Sequence, residues 1–173
     1  MEKGVKVIAE ECTVDYSNDY RTLVTKAKAV NPDLWLVTTS LPANFLRARY
    51  ELKVGIPTLM TNVIIDALEV ERISREVAVG VYFTNWPQSE KFINSFKTLY
   101  DTHPIIEAEN SYEAVRSLAK AFTDNQEDVL VGLRQVKYQG VGGLVDFTSS
   151  NHTQINKAEA KLYRVDVSGY TEF

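Results

Sequence analysis

The 173 residues are 45% hydrophobic and 24% charged, and 23 acidic against 19 basic side chains leave a net charge of −4. That length allows one or two domains, and the acidic balance, without a basic run or aromatic–basic alternation, argues against nucleic acid as the main partner. The single cysteine, Cys12, excludes an internal disulfide, and no apolar stretch reaches the roughly 18 residues of a membrane span.

The opening MEKGVKVIAEE lacks the apolar core of a signal peptide. Residues 5–9 (VKVIA) predict a strand, and Cys12 beside it reads as a small packed side chain rather than a reactive thiolate. SNDYRTLVTKAKAVNPD predicts a helix capped by Ser17 or Asn18, whose oxygens accept first-turn amide protons. Tyr20, Leu23, Val24, Ala27 and Val30 share its apolar face, and Pro32 ends it.

Leu34 to Thr38 predict a strand apolar on both sides, as in a parallel sheet covered by helices on both faces. Pro42 suits the first turn of the next helix, which carries Phe45, Leu46, Arg49 and Leu52 and stops at Gly55. PTLMTN predicts a strand, Ile65–Arg75 a helix with a solvated Glu71–Arg75 pair, and VAVGVYFT (77–84) another strand. This β-α-β-α-β-α-β order is a doubly wound pattern with right-handed crossovers.

The pattern changes at NWPQ. Ser89–Tyr100 predict an amphipathic helix bearing Phe92, Phe96 and Leu99. NSYEAVRSLAKAFTD predicts another, with Tyr112, Val115, Leu118, Ala119 and Phe122 on the core side. QEDVLVGLRQV reads as a further helix, VKYQGVGGLVDFTSS as a hairpin, and AEAKLYRVDVSGYTEF as a terminal strand pair turning at Ser168 and Gly169.

Motifs for chemistry are sparse. Gly140–Gly143 (GVGG) is flanked by strands and followed by no lysine, so it reads as a hairpin turn rather than a phosphate loop. His103 and His152 have no partner at metal-ligand spacing. Ser150, His152 and Asp146 make a triad only on paper, since a triad is defined by geometry. Neither a cofactor nor a metal is implied. Trp86 is a core anchor or a cleft lining. Three successive strands, however, end in small hydrogen-bonding side chains: Thr38, Thr39 and Ser40; Thr61 and Asn62; Thr84 and Asn85. Ligands of parallel α/β sheets bind beyond the carboxyl ends of the strands. Without an acid/base pair or activated nucleophile, this rim points to binding rather than catalysis.

The order of segments resembles the type I periplasmic binding proteins of the branched-chain amino acid (Leu/Ile/Val) transporter family. The likeness lies in GVKVIAEECTVDYSNDYRTLVTKAKAVNPDLWLV, LRARYELKVGIP, NSYEAVRSLAKAF, VKYQGVGGLVDFT and KLYRVDVSGY. It implies a parallel doubly wound α/β lobe, incomplete, with helices and a hairpin from a second lobe. On that plan residues 1–83 are most of the C-terminal lobe, 84–156 the late part of the N-terminal lobe, and 157–173 strands returning to the first. Hinge crossings fall near 84–87 and 151–158. The sequence then resembles the back half of a binding protein, with the early N-terminal lobe and export signal not among these residues.

The resemblance implies a non-enzymatic, extracytoplasmic solute-binding component of an ABC importer, with an amino acid or related small polar solute and a membrane permease as partners. The expected ligand contacts are Thr38, Thr39, Ser40, Leu41, Asn62, Val63 and Trp86. Family members place an aromatic contact in the stretch matching Thr39–Leu41, and amino-acid binders an acid near Asn62. Neither is present; Asp66 lies slightly later. That departure shifts the expected ligand toward amides, urea-like solutes or aromatic acids. Uncovered sheet edges and helix faces suggest self-association. The rival readings are a ligand-sensing or dimerisation module of a receptor and a small α/β enzyme.

Overall fold

The computed structural model describes residues 4–12, 19–86, 88–105, 107–148 and 160–173. Ser17, Asn18, Pro87, Ser150, His152 and the expected crossing at 151–158 lie outside these residues. The chain divides into two compact units, Met1–Thr84 with Leu162–Phe173, and Asn85–Lys161.

The first unit is built on a parallel sheet. α1 (Arg21–Val30) buries Tyr20 at its start and Val24, with Leu23 and Ala27 packed against the core; Val30 is exposed instead. Asn31 closes the helix in the left-handed region before Pro32. β1 (Trp35–Val37), β2 (Thr58–Met60) and β3 (Tyr82–Asn85) pair in parallel, with Val37 opposite Met60 and Met60 opposite Phe83. α2 (Pro42–Glu51) buries Phe45 and Leu46, and Phe45 meets Trp35 edge-on at 5.0 Å. It ends at Leu52 rather than Gly55, because Lys53 adopts a left-handed φ of 52° and breaks the helix first.

The expected helix over 65–75 is a short α3 (Val63–Ile65) continued by a π-helical turn, Asp66–Val70. Arg72 turns into the left-handed region and folds Ile73 back into the core, so Arg75 pairs with Glu69 rather than with exposed Glu71. The expected strand over 77–84 is split: Arg75–Ala78 form a 3-10 turn and β3 starts at Tyr82. Gly80, with φ of 78°, makes the break. The sheet is completed by the hairpin β6 (Lys161–Asp166) and β7 (Gly169–Glu172), giving the order β1-β2-β3-β6-β7. Phe83 is the pivot of the core, stacked on Tyr163 and edge-on to Tyr170, each at 5.4 Å.

β1 stands at one end of that order. Leu34 and Leu36 are 52% and 67% exposed, so this strand is covered on one face, not both. Residues 4–12 form no strand: Val5, Val7 and Ile8 are exposed and so is Cys12. A strand needs a partner edge for its backbone groups, and among the described residues this segment pairs with none.

The second unit holds α4 (Glu90–Tyr100), α5 (Ala108–Asp124), the one-turn α6 (Val129–Leu133) and the hairpin β4 (Lys137–Gln139) and β5 (Leu144–Asp146). Ser89 caps α4 by accepting the Phe92 amide, and Asp128 caps α6 through the amides of Leu130 and Val131. α5 overturns its expected orientation. Its buried side chains are Glu109, Glu113, Ser117 and Ala121, while Tyr112, Val115, Leu118 and Phe122 are exposed. The reason is hydrogen bonding: Glu113 accepts from the Tyr138 hydroxyl at 2.7 Å and the Val141 amide at 2.5 Å, and Glu109 accepts from the Ser89 amide at 2.7 Å. The polar stripe is thus fixed inward by carboxylates that accept hydrogen bonds from the chain around them, as burial demands.

Candidate functional site

Parallel register decides what the strand ends can do. Because Val37, Met60 and Phe83 align across the sheet, the residues that follow them lie at one common end: Thr38 and Thr61 just past β1 and β2, and Thr84 within β3 just before its last residue, Asn85. Thr38 and Ser40 are exposed; Thr39, Leu41, Thr61, Asn62, Val63 and Thr84 are half-buried.

Their roles differ. Thr39 Oγ1 lies 2.6 Å from the Tyr20 hydroxyl and accepts the Leu41 amide at 2.9 Å. It therefore organises the turn into α2, and Leu41 packs on the core. Asn62 stands at the start of α3 without a side-chain capping bond, although its carbonyl accepts the Ile65 amide. Val63 opens the helix and Asp66 begins the π-helical turn. Tyr20 is the functional neighbour that helical spacing alone presents only as a core residue; its ring is buried against Phe45, but its hydroxyl reaches the rim.

Trp86 belongs to the second unit. It is 50% exposed, which removes the core-anchor reading. A recess of about 410 Å³ lies at the opposite end of the first unit's sheet, lined by the segments that enter β1 and β2, including Lys28, Asp33, Lys53 and Pro57. The turns there are helix C-termini, where Lys28 Nζ donates to the Leu52 carbonyl at 3.0 Å, a favourable position for a cation.

Other side chains with chemical capacity are engaged structurally. Arg49 is buried, donates to Thr58 Oγ1 at 3.3 Å, and desolvation pushes its pKa down. Asp146 accepts from Lys137 at 2.7 Å and from Thr148, and these contacts hold its carboxyl down at about 2; it serves the hairpin. The Gly140–Gly143 turn is closed by Gly140 N donating to the Gly143 carbonyl at 2.7 Å, between two strands. Burial, followed by the hydrogen bond to Glu69, pushes the Tyr170 hydroxyl pKa well up. Among the described residues no group of three or more His, Cys, Asp or Glu could hold a metal ion, and no helix is long and apolar enough to cross a membrane.

The solved structures that resemble the chain include the following three. A solute-binding protein of an ABC transporter from R. palustris, in complex with benzoate, superposes with a TM-score of 0.78 at 14% identity, over 97% of this chain and 49% of its own. The branched-chain amino acid transporter substrate-binding protein LivJ from Streptococcus pneumoniae, with isoleucine, gives 0.71 at 17%, over 96% and 52%. A fatty acid ABC transporter substrate-binding protein from Thermomonospora curvata gives 0.61 at 13%, over 91% and 46%. The chain thus spans about half the length of these structures, and the likeness is one of fold. No curated protein matches the sequence. The family model described as periplasmic binding protein matches residues 1–170, and with an α/β lobe of parallel strands whose ends meet on one side, the chain belongs to the periplasmic binding protein family.

Proposed function

We propose that the chain supplies one wall of a solute-binding site in an extracytoplasmic ABC-importer component, and that it acts by binding without chemistry. The observation that carries this is the common end of β1, β2 and β3, where Thr38, Thr61 and Thr84 follow aligned residues in a chain matched by the family model over nearly its whole length. The wall consists of Thr38, Ser40, Asn62 and Val63, held in place by Thr39 and Leu41, and Trp86 is proposed as a separate contact. The units Met1–Thr84 with Leu162–Phe173 and Asn85–Lys161 correspond to portions of two lobes in this reading, and a membrane permease is the downstream partner.

The rim offers hydroxyls and an amide, with no acid at Thr61–Val63 to meet an ammonium group. This favours a small polar or aromatic-acid solute over an α-amino acid. The related structures hold benzoate and isoleucine, so the fold carries both kinds. One wall makes only part of the contacts that must offset the cost of association, so the isolated 173 residues bind weakly.

Amide chemical-shift mapping tests the reading. Benzoate, isoleucine and urea are titrated to millimolar levels into the ¹⁵N-labelled chain. Shifts confined to 38–41 and 61–63 support it. Shifts at the recess around Lys28 and Lys53, or none at all, overturn it.

A further inference from the structure

We propose, on the reading of the strand-end rim as a solute wall, that Tyr20 sets the polarity of that wall. Its hydroxyl donates to Thr39 and leaves Thr39 able only to donate. The wall therefore selects a solute that turns an acceptor oxygen, of a carboxylate or a carbonyl, toward the 38–41 loop. A threonine hydroxyl has one hydrogen and two lone pairs. Thr39 Oγ1 spends one lone pair on the Leu41 amide at 2.9 Å, a group that can only donate.

The second lone pair goes to Tyr20. The two hydroxyl oxygens lie 2.6 Å apart and share one hydrogen. A phenol is more acidic than an aliphatic alcohol and is the better donor of the two. Burial points the same way. Tyr20 is 7% exposed and packs edge-on against Phe45. Were it to accept from Thr39, its own hydrogen would have no acceptor among the described residues, and an unsatisfied buried donor is costly.

Both acceptor positions of Thr39 are thereby used by the fold, and its hydrogen remains. Among the described residues no acceptor takes that hydrogen, and Thr39 is half-buried between the exposed Thr38 and Ser40. The oxygen of Thr39 is structural, and the hydrogen is what it offers a solute. Thr38 and Ser40 can rotate to donate or to accept, so they tolerate either kind of group; Thr39 does not. An ammonium or amide N–H brought to it meets a second hydrogen, whereas a carboxylate or carbonyl oxygen completes the bond. A site with one member fixed as donor rejects the mismatched partner, because a polar group is then left unpaired. Tyr20 acts through Thr39 and is a positioning residue for this choice.

Titration of the ¹⁵N-labelled chain with benzoate and with benzylammonium tests this, since the two share a ring and differ in offering an acceptor or a donor. The expected result is a half-maximal shift of the Thr39–Leu41 amides at a concentration at least about fivefold lower for benzoate. Tyr20→Phe keeps the ring and returns a lone pair to Thr39; it narrows that preference at least about threefold, with circular dichroism unchanged. The two compounds differ in charge but the two chains do not, so this change isolates the sense of the hydrogen bond. Thr39→Ser, which keeps the hydroxyl, preserves the preference. The Raman tyrosine doublet, taken as wild type minus Tyr20→Phe, shows a donating phenol without any solute present. An accepting phenol, or a preference that Tyr20→Phe leaves unchanged, overturns the proposal. Shifts at 38–41 without a preference overturn it alone, whereas no shift there or at 61–63 overturns the wall reading as well.

Discussion

The Tyr20 hydroxyl and Thr39 Oγ1 lie 2.6 Å apart, although one belongs to the entry of α1 and the other to the loop after β1. Thr39 also receives the Leu41 amide, so a single hydroxyl ties the first helix, the strand end and the start of the second helix together. The hydroxyl cluster therefore divides into a structural member, Thr39, and outward members, Thr38 and Ser40.

Substitution separates these roles. Thr39→Val removes the acceptor of the Leu41 amide and leaves the Tyr20 hydroxyl without this partner, at a cost of about 1–2 kcal/mol. Thr38→Val and Ser40→Ala, at exposed positions, change stability by less than about 0.5 kcal/mol. Urea denaturation followed by circular dichroism measures all three. If Thr38→Val proved as costly as Thr39→Val, this division would be wrong.

The core of the first unit rests on Phe83, 1% exposed and in ring contact with Tyr163 and Tyr170. Phe83→Ala leaves a cavity where three elements of the sheet meet and costs about 3–5 kcal/mol. The midpoint of urea unfolding reports this, and Phe83→Leu, which keeps most of the volume, loses less.

Two glycines in the second unit differ in the obstacle a methyl group would meet. At Gly132 it would run into the backbone carbonyl of Ala121; at Gly140 it would approach the Glu113 carboxylate at 2.6 Å and the Gly143 carbonyl at 3.0 Å. Backbone cannot yield as a side chain can. Gly132→Ala is therefore the more damaging, at about 3 kcal/mol, against about 1–2 kcal/mol for Gly140→Ala. Thermal unfolding of the pair gives the order directly.

Acid reveals the hairpin. Asp146 titrates near 2, held below its ordinary 3.8 first by Lys137 and then by Thr148. A carboxylate with a depressed folded-state pKa contributes stability that is complete above the unfolded value and is lost as pH falls through the folded value. Protection of the β4–β5 amides should accordingly be constant above about pH 5 and decline between about pH 4 and pH 2, and Asp146→Asn should abolish that dependence. A decline that persists in the variant would assign it to another group.

At the alkaline end, burial and the Glu69 contact raise the Tyr170 pKa above the ordinary 10. Folding keeps this phenol protonated, so stability falls as pH rises beyond about 10, where the unfolded chain ionises freely. Absorbance titration should show one phenol that ionises only with unfolding, and Tyr170→Phe should remove it.

Much of this architecture is legible in local sequence. Pro32 and Pro42 bracket α1 and α2, Ser89 caps α4, the Gly140–Gly143 turn makes a hairpin, and the apolar segments around Val37, Met60 and Phe83 become parallel strands. These follow from φ restriction, capping chemistry and apolar patterning, which act within a few residues. Other features needed partners far along the chain. The strand pattern of Val5–Ala9 has no edge to join among the described residues. Leu36 is apolar yet exposed because its face of β1 is left uncovered. α5 turns its apolar stripe outward because Tyr138 and Val141, some 25–28 residues later, bind Glu113. Composition marked out the strand-end hydroxyls, whereas the parallel register of three strands determined that they share one end of the sheet. Periodicity specifies that a helix has two faces; long-range hydrogen bonds and burial decide which of them turns inward.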